Sequence, residues 1–302
     1  MSGSITLENR FGVNKMELIS LKYAIFVIVL LVLYYCFPKK YRWYVLLAGS
    51  MAYYVIICKW YVLFIIFTIC TTYGSTIWID KLLKEQNAIV KSHKEDWDRQ
   101  TRKEYKEKGR KKRVAVMLFA LLCNFGILAF LKYIPYAGEL GLLLPLGISF
   151  YTFQSMGYVM DVYREIVEPE KNFLKVALFV SFFPQIIQGP IAIYDKLAGQ
   201  LYEGHSLRLE NLQKGALLVL WGVMKKLVIA DRAVNIINFV MDKPMDFSGT
   251  YVFFAAVVYA LQLYADFSGG IDIVRGIAEM FGITMSTNFN HPYFSRSLTA
   301  GI

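Results

Sequence analysis

The chain has 302 residues, of which 56% are apolar, 16% aromatic and only 19% charged, against about 25% charged in an ordinary soluble domain. The formal charge is +10, but the basic excess is mixed with acids and set between apolar blocks, which argues against a nucleic-acid-binding face. The apolar residues come in long uncharged runs, which excludes a soluble core and makes hydrocarbon the expected solvent.

The first 17 residues are polar and charge-balanced. Two apolar blocks follow, 23–38 and 43–58, each somewhat shorter than the roughly 20 residues that cross a bilayer. Flanking residues extend them by snorkelling. No small-residue cleavage pattern follows the first block, since Phe37-Pro38-Lys39-Lys40 comes next; it reads as a retained span. Block 60–79 is 20 residues without a charge. Segment 80–113 then carries 13 Lys/Arg and 7 Asp/Glu, a net +6. It reads as a basic cytoplasmic segment, an amphipathic helix lying on anionic lipid. With Lys39, Lys40 and Arg42 on the same side, the N-terminus is expected outside.

Block 114–131 returns across the bilayer. Blocks 140–160 and 176–194 follow, with 161–171 expected on the cytoplasmic side. Block 215–230 is interrupted by Lys225 and Lys226, and two further blocks run over 247–265 and 267–283. The expectation is an all-α polytopic protein with about nine transmembrane or partly immersed helices in one integral membrane domain, 1–302. The four cysteines, Cys36, Cys58, Cys70 and Cys123, sit in apolar blocks at spacings that fit neither a zinc site nor a redox pair, so they read as small buried hydrophobes and no metal is expected.

From about residue 140 the blocks acquire polar residues, which are costly in hydrocarbon and mark functional interiors. The run 144–154, Leu-Pro-Leu-Gly-Ile-Ser-Phe-Tyr-Thr-Phe-Gln, ends on Gln154 and leads to Asp161-Val162-Tyr163-Arg164. The run 181–191 holds Pro184, Gln185, Gln188, Gly189 and Pro190 and cannot form an unbroken helix. Its glutamines either line a pocket or sit in a kinked packing helix, satisfied by neighbours. Lys225 and Lys226 follow Trp221-Gly222 and read first as lysines snorkelling to an interface. The run 259–272 carries Gln262, Tyr264, Asp266, Ser268, Gly269, Gly270 and Asp272 and reads as a broken helix. Asn288, Asn290 and His291 follow.

These stretches, taken in order, resemble the membrane-bound O-acyltransferase (MBOAT) family, in the branch of the alginate and other polysaccharide O-acetylases. The resemblance rests on 144–154, Asp161–Arg164, Phe182-Phe183-Pro184-Gln185 with Gly189-Pro190-Ile191, Lys225-Lys226, Gln262-Leu263-Tyr264, Asp266-Phe267-Ser268-Gly269, and Asn288-Phe289-Asn290 before Pro292-Tyr293. It runs over essentially the whole chain. In this branch Ser-Arg-Ser-Leu-Thr, here 295–299, is followed by Glu-Phe-Trp and then Arg-Arg-Trp-His; here Ala300-Gly301-Ile302 follows. The family's catalytic histidine is therefore expected beyond Ile302, and none of His93, His205 and His291 inherits its role. The chain is expected to be an N-terminal portion that is inactive alone.

The resemblance implies acyl transfer to a hydroxyl, O-acetylation of an extracellular polysaccharide at the cell membrane. It implies no bound cofactor; the acyl donor, an acetyl thioester or acyl carrier, is a co-substrate. Implied partners are the lipid bilayer, an extracellular glycan acceptor, and an acyl carrier or a periplasmic or extracellular transferase. The substrate-channel candidates are Gln154, Asp161, Gln185, Gln188, Tyr264, Asp266, Ser268, Asp272 and Asn288. The alternatives are D-alanyl transfer to teichoic acid within the same family, a transporter, and a non-catalytic membrane scaffold.

Overall fold

The computed structural model describes residues 19–93, 95–133 and 145–286. Among the described residues the secondary structure is helical, with no strand. Helix α1 is Leu21–Cys36. Ser20 caps it by accepting from the Tyr23 N–H at 3.2 Å, and Pro38 follows its end, where a helix cannot continue. A 3₁₀ turn, Lys39–Tyr41, leads into α2, Arg42–Cys58; a second, Lys59–Tyr61, leads into α3, Val62–Ser92. Lys59 sits at φ 48° in that turn. Next come α4, Arg99–Tyr133, and α5, Ile148–Tyr163. Then α6, Phe173–Ser181, α7, Phe183–Gln188, and α8, Tyr194–Glu203, precede α9, Leu209–Met224. A π-helical turn, Lys225–Ala230, joins α9 to α10, Asp231–Met241, and α11 is Gly249–Met280.

Three helical stretches are long and apolar enough to cross a membrane: Lys39–Ser92, Arg99–Tyr133 and Gly249–Met280. Leu21–Cys36 and Phe173–Gln188 are shorter apolar stretches, so among the described residues three stretches, not the expected nine, meet that measure. The outer faces are apolar: Phe119 is 64% exposed, Leu122 73% and Phe253 68%. Side chains of that type so placed suit lipid as solvent, and the chain is an all-α membrane protein.

Two sequence expectations change. The basic segment is not a separate helix lying flat. It is the end of α3 and the beginning of α4, in line with their apolar halves, with Asp98 capping α4 by accepting from the Thr101 N–H at 2.9 Å. The run 259–272 is not broken either. Gly269 and Gly270 lie inside continuous α11, because their missing side chains are used for close packing rather than for a turn.

The chain divides into two compact units. The first takes Leu46–Ile186 and Ile193–Tyr202. In it α3 and α4 form an antiparallel hairpin. Asn124 donates to Thr71 Oγ1 at 2.9 Å, Arg113 donates to Gln86 Oε1 at 2.6 Å, and Gly109 leaves room for the Gln86 side chain. The core includes Tyr53, Tyr54, Tyr151, Tyr158, Phe179, Phe182 and Phe183, all buried. The second unit takes 19–45, Ile187–Ala192 and 203–286 of the described residues. Arg42 fastens its loops: it donates to the carbonyls of Phe37 (2.9 Å), Tyr35 (3.2 Å) and His205, and its guanidinium lies over the rings of Tyr34 and Tyr35. Tyr35 O–H donates to the Met280 carbonyl at 2.7 Å, tying α1 to the end of α11.

The expected break in 181–191 is present, and its hydrogen bonding explains Gln154. An unbroken helix would join the Phe183 N–H to the Phe179 carbonyl. Here the Phe183 N–H donates to Ser50 Oγ at 3.1 Å, and Gln154 Nε2 donates to the Phe179 carbonyl at 2.9 Å. Two side chains thus take over the two halves of one lost backbone bond, in a setting where water cannot. Pro184 sits at the start of α7, where its missing donor costs nothing. Gly147, at φ 70°, lets the chain turn into α5; a Cβ there would run into the Ile186 backbone carbonyl. Gln154→Leu is expected to leave the Phe179 carbonyl buried without its partner and to cost about 1–3 kcal/mol, read by denaturation in detergent micelles. A loss of activity with unchanged stability would contradict this role.

Candidate functional site

The sequence candidates fall into two groups. Gln154, Asp161 and Gln185 belong to the first unit. Gln154 and Gln185 are buried there and Asp161 is half-buried. Gln188, Tyr264, Asp266, Ser268 and Asp272 belong to the second unit, where they come together along α11. Asn288, with Asn290 and His291, lies outside the described residues.

The second group is organised by two antiparallel helices. α9 and α11 meet at Gly222 opposite Gly269 and at Gly215 opposite Gly276. At each crossing a Cβ would strike the facing backbone: at Gly222 the Gly269 carbonyl, at Gly269 the Gly222 carbonyl, and likewise for Gly215 and Gly276. The glycines are seven residues apart on both helices, which is close to two turns and keeps them on one face. Small residues at such a seam let backbones approach and give dispersion and Cα–H···O contacts, the main attraction between helices in lipid.

This close approach sets the lysines in place. Lys225 and Lys226 enter the π turn directly after the Gly222 crossing, and both pack against Gly269. From there they reach opposite ways along α11. Lys225 Nζ lies 2.5 Å from Asp272 Oδ2 and 3.5 Å from Ser268 Oγ, with its charge 5.7 Å from the Trp221 ring centre. Arg275 donates to the other Asp272 oxygen at 3.4 Å. Lys226 pairs with Asp266 Oδ1. The lysines are therefore ion-paired rather than snorkelling to an interface, as the sequence first suggested. The Lys225 and Asp272 side chains are only 15% and 12% exposed, whereas Lys226 and Asp266 are 26% and 34% exposed. On the same stretch, a Cβ at Gly270 would collide with the side-chain amide of Gln188, so that glutamine lies directly on α11 beside the cluster.

The cluster sets three cations against two carboxylates and so keeps one positive charge in excess. Lys226 and Asp266 form its more open end. It offers N–H and O–H donors suited to a carbonyl or an anion. Its two carboxylates each accept from a cation. The two described histidines are occupied otherwise. The His205 backbone N–H donates to Tyr34 Oη at 3.0 Å and its ring packs on Gly282, which turns at φ 81°. His93 ends α3, exposed and stacked on Trp97. Among the described residues no group of three His, Cys, Asp or Glu side chains could hold a metal ion. A groove of about 440 Å³ on α3, lined by Tyr73, Gly74, Ile77, Trp78 and Lys81 among others, contains none of the candidates. Sequence reasoning missed Ser50, Arg275 and the glycine seam; the seven-residue spacing of Gly215 with Gly222 and of Gly269 with Gly276 was the available signal.

No family model matches the chain. It is 33% identical over 215 residues to the peptidoglycan O-acetyltransferase of Helicobacter pylori, covering 59% of this chain and 41% of that protein. It is 36% identical over 160 residues to the probable alginate O-acetylase AlgI of Pseudomonas aeruginosa, covering 52% of this chain and 30% of that one. The teichoic acid D-alanyltransferase of Bacillus subtilis is more distant, 25% identical over 159 residues, covering 51% and 39%. The chain spans less than half the length of these curated relatives. The resemblance to the polysaccharide O-acetylases of the MBOAT family is borne out by these relatives.

Proposed function

We propose that this chain, a relative of the polysaccharide O-acetylases, serves membrane O-acetyl transfer to an extracellular polysaccharide, at the cell membrane. The observation that carries the reading is 33–36% identity, over more than half of the chain, to proteins named for O-acetylation of peptidoglycan or alginate. The donor is an acetyl thioester or an acyl carrier and the acceptor a glycan hydroxyl. The hydroxyl oxygen attacks the acetyl carbon, the thiol departs, and the hydroxyl proton passes through a base to the leaving sulfur. An acyl-carrier or extracellular transferase partner completes the route.

Within this reading, the α11 cluster lines the passage of the acyl group. Ser268 and the two lysines face it with donors, and Gln188 and Tyr264 flank it. The glutamine, serine and ion pairs inside apolar helices support that role, since polar groups at such depth are costly without a use. Asp161, Gln185 and Asn288 are candidates on the sequence alone. Gln154 has a structural task of its own at the α6–α7 break.

Deleting the coding sequence for this chain in the source organism tests the proposal. Ester-linked acetate, released from cell-wall and secreted polysaccharide by mild alkali, is expected to fall several-fold. Loss of alkali-labile D-alanine with acetate intact would replace this reading by D-alanyl transfer. If neither ester changes, the acyltransferase reading is overturned.

A further inference from the structure

The α3–α4 hairpin separates its charges by height above the bilayer. The uncharged run 114–131 is 18 residues, about 27 Å of helix, close to the hydrocarbon thickness of about 30 Å. Val114 therefore marks the hydrocarbon boundary on α4. On α3 the uncharged run 60–79 ends before Asp80. The contacts of Thr71 with Asn124, and of Gln86 with Gly109, bring those two boundaries to the same level.

The net charge of the hairpin is concentrated at that level. Residues 108–113 hold five basic side chains and no acid. Residues 91–107, toward the tip, hold six basic and five acidic ones, and 80–85 hold two of each. Arg113 is taken inward: its side chain is only 9% exposed, and it bonds Gln86 and lies 3.9 Å from Glu165. Lys108, Arg110, Lys111 and Lys112 are all exposed. At successive helical angles of about 100° they surround the outer side of α4, forming a collar within about 9 Å of the hydrocarbon edge. Arg99 stands about 22 Å away, well beyond the Debye length of about 8 Å at physiological ionic strength.

We infer that this collar binds the headgroups of anionic phospholipids, and that the hairpin tip does not. A soluble acidic partner would be drawn to wherever exposed positive charge lies along the hairpin. The collar instead puts unneutralised charge only at headgroup height, where each Lys or Arg attracts anionic lipid. The tip is close to neutral and has no such preference. This surface is separate from the α11 cluster and does not depend on the acyl-transfer reading.

The test is lipid selectivity of the purified chain reconstituted in phosphatidylcholine bilayers, read by spin-labelled lipids. Spin-labelled phosphatidylglycerol is expected to associate several-fold more strongly than spin-labelled phosphatidylcholine, with the preference fading as salt is raised. Replacing Lys108, Arg110, Lys111 and Lys112 by Gln is expected to bring the ratio close to one. Replacing Lys91, Arg99, Lys103 and Lys106 by Gln removes as many charges from the tip and is expected to leave the ratio unchanged. Equal association of both lipids with the unaltered chain, or an equal loss in the tip variant, overturns the proposal. The unaltered chain and its salt dependence decide the matter even if the collar variant folds poorly.

Discussion

Asp272→Ala is expected to destabilise the protein by about 3–5 kcal/mol, the range for removing one partner of a buried ion pair. The cost is large because Asp272 serves two cations. Its Oδ2 accepts from Lys225 at 2.5 Å and its Oδ1 from Arg275 at 3.4 Å. Without it, Lys225 keeps only Ser268 at 3.5 Å and the face of Trp221, with its side chain only 15% exposed. The reverse change is expected to be milder. Lys225→Met leaves Asp272 with Arg275, so the remaining charge is not orphaned. The double variant Lys225→Met/Asp272→Leu is expected to recover much of the loss, since apolar pairs of similar volume often replace buried ion pairs without penalty. Denaturation of the four proteins in one detergent, read as a double-mutant cycle, gives the coupling. Equal losses for the two single variants would mean that Arg275 does not share the carboxylate.

The Lys225–Asp272 pair also shows what the sequence could and could not say. Long uncharged runs announce membrane helices, because nothing but lipid tolerates them, and the proline- and glycine-bearing run 181–191 announces a break, because Pro184 and Pro190 lack donors. Both readings hold. What a linear reading does not carry is which polar side chain answers which. Lys225 and Asp272 are 47 residues apart, and snorkelling is the sensible reading of a lysine until its partner is known. Gly269-Gly270 resembles a turn signal in isolation, and only the opposite helix shows that the two positions are contact points. Gln154 looks like a substrate ligand until the carbonyl it satisfies, 25 residues on, is seen at the α6–α7 break. The hairpin was legible in its charge but not in its course, because a helix can leave the bilayer without bending. Polar residues announced their presence in the apolar blocks; their roles required the packing.

Gly269→Leu is expected to have a large effect on the second unit. A Cβ there meets the Gly222 carbonyl, the Lys225 Cβ and the Lys226 backbone N–H at once. Two of these three are backbone and cannot rotate aside. Accommodation requires α9 and α11 to move apart, which opens the facing Gly215–Gly276 crossing and stretches both lysine pairs. Overpacking alone costs about 1–3 kcal/mol, and the stretched Lys225–Asp272 pair adds a loss like that of a broken buried ion pair, about 3–5 kcal/mol. Misfolding or loss from the membrane is the expected outcome, measured as monodisperse yield after detergent extraction. Gly222→Ala tests the same seam more gently and is expected to cost about 1–3 kcal/mol. Gly126 and Gly157 supply the control. They too lie within helices, but a Cβ at either meets nothing within 4 Å. Alanine at those positions is expected to be neutral or to stabilise by up to about 1 kcal/mol, through helix propensity alone. If Gly222→Ala proved as harmless as Gly126→Ala, the two helices would not be in backbone contact, and the placement of both lysines over Gly269 would lose its cause.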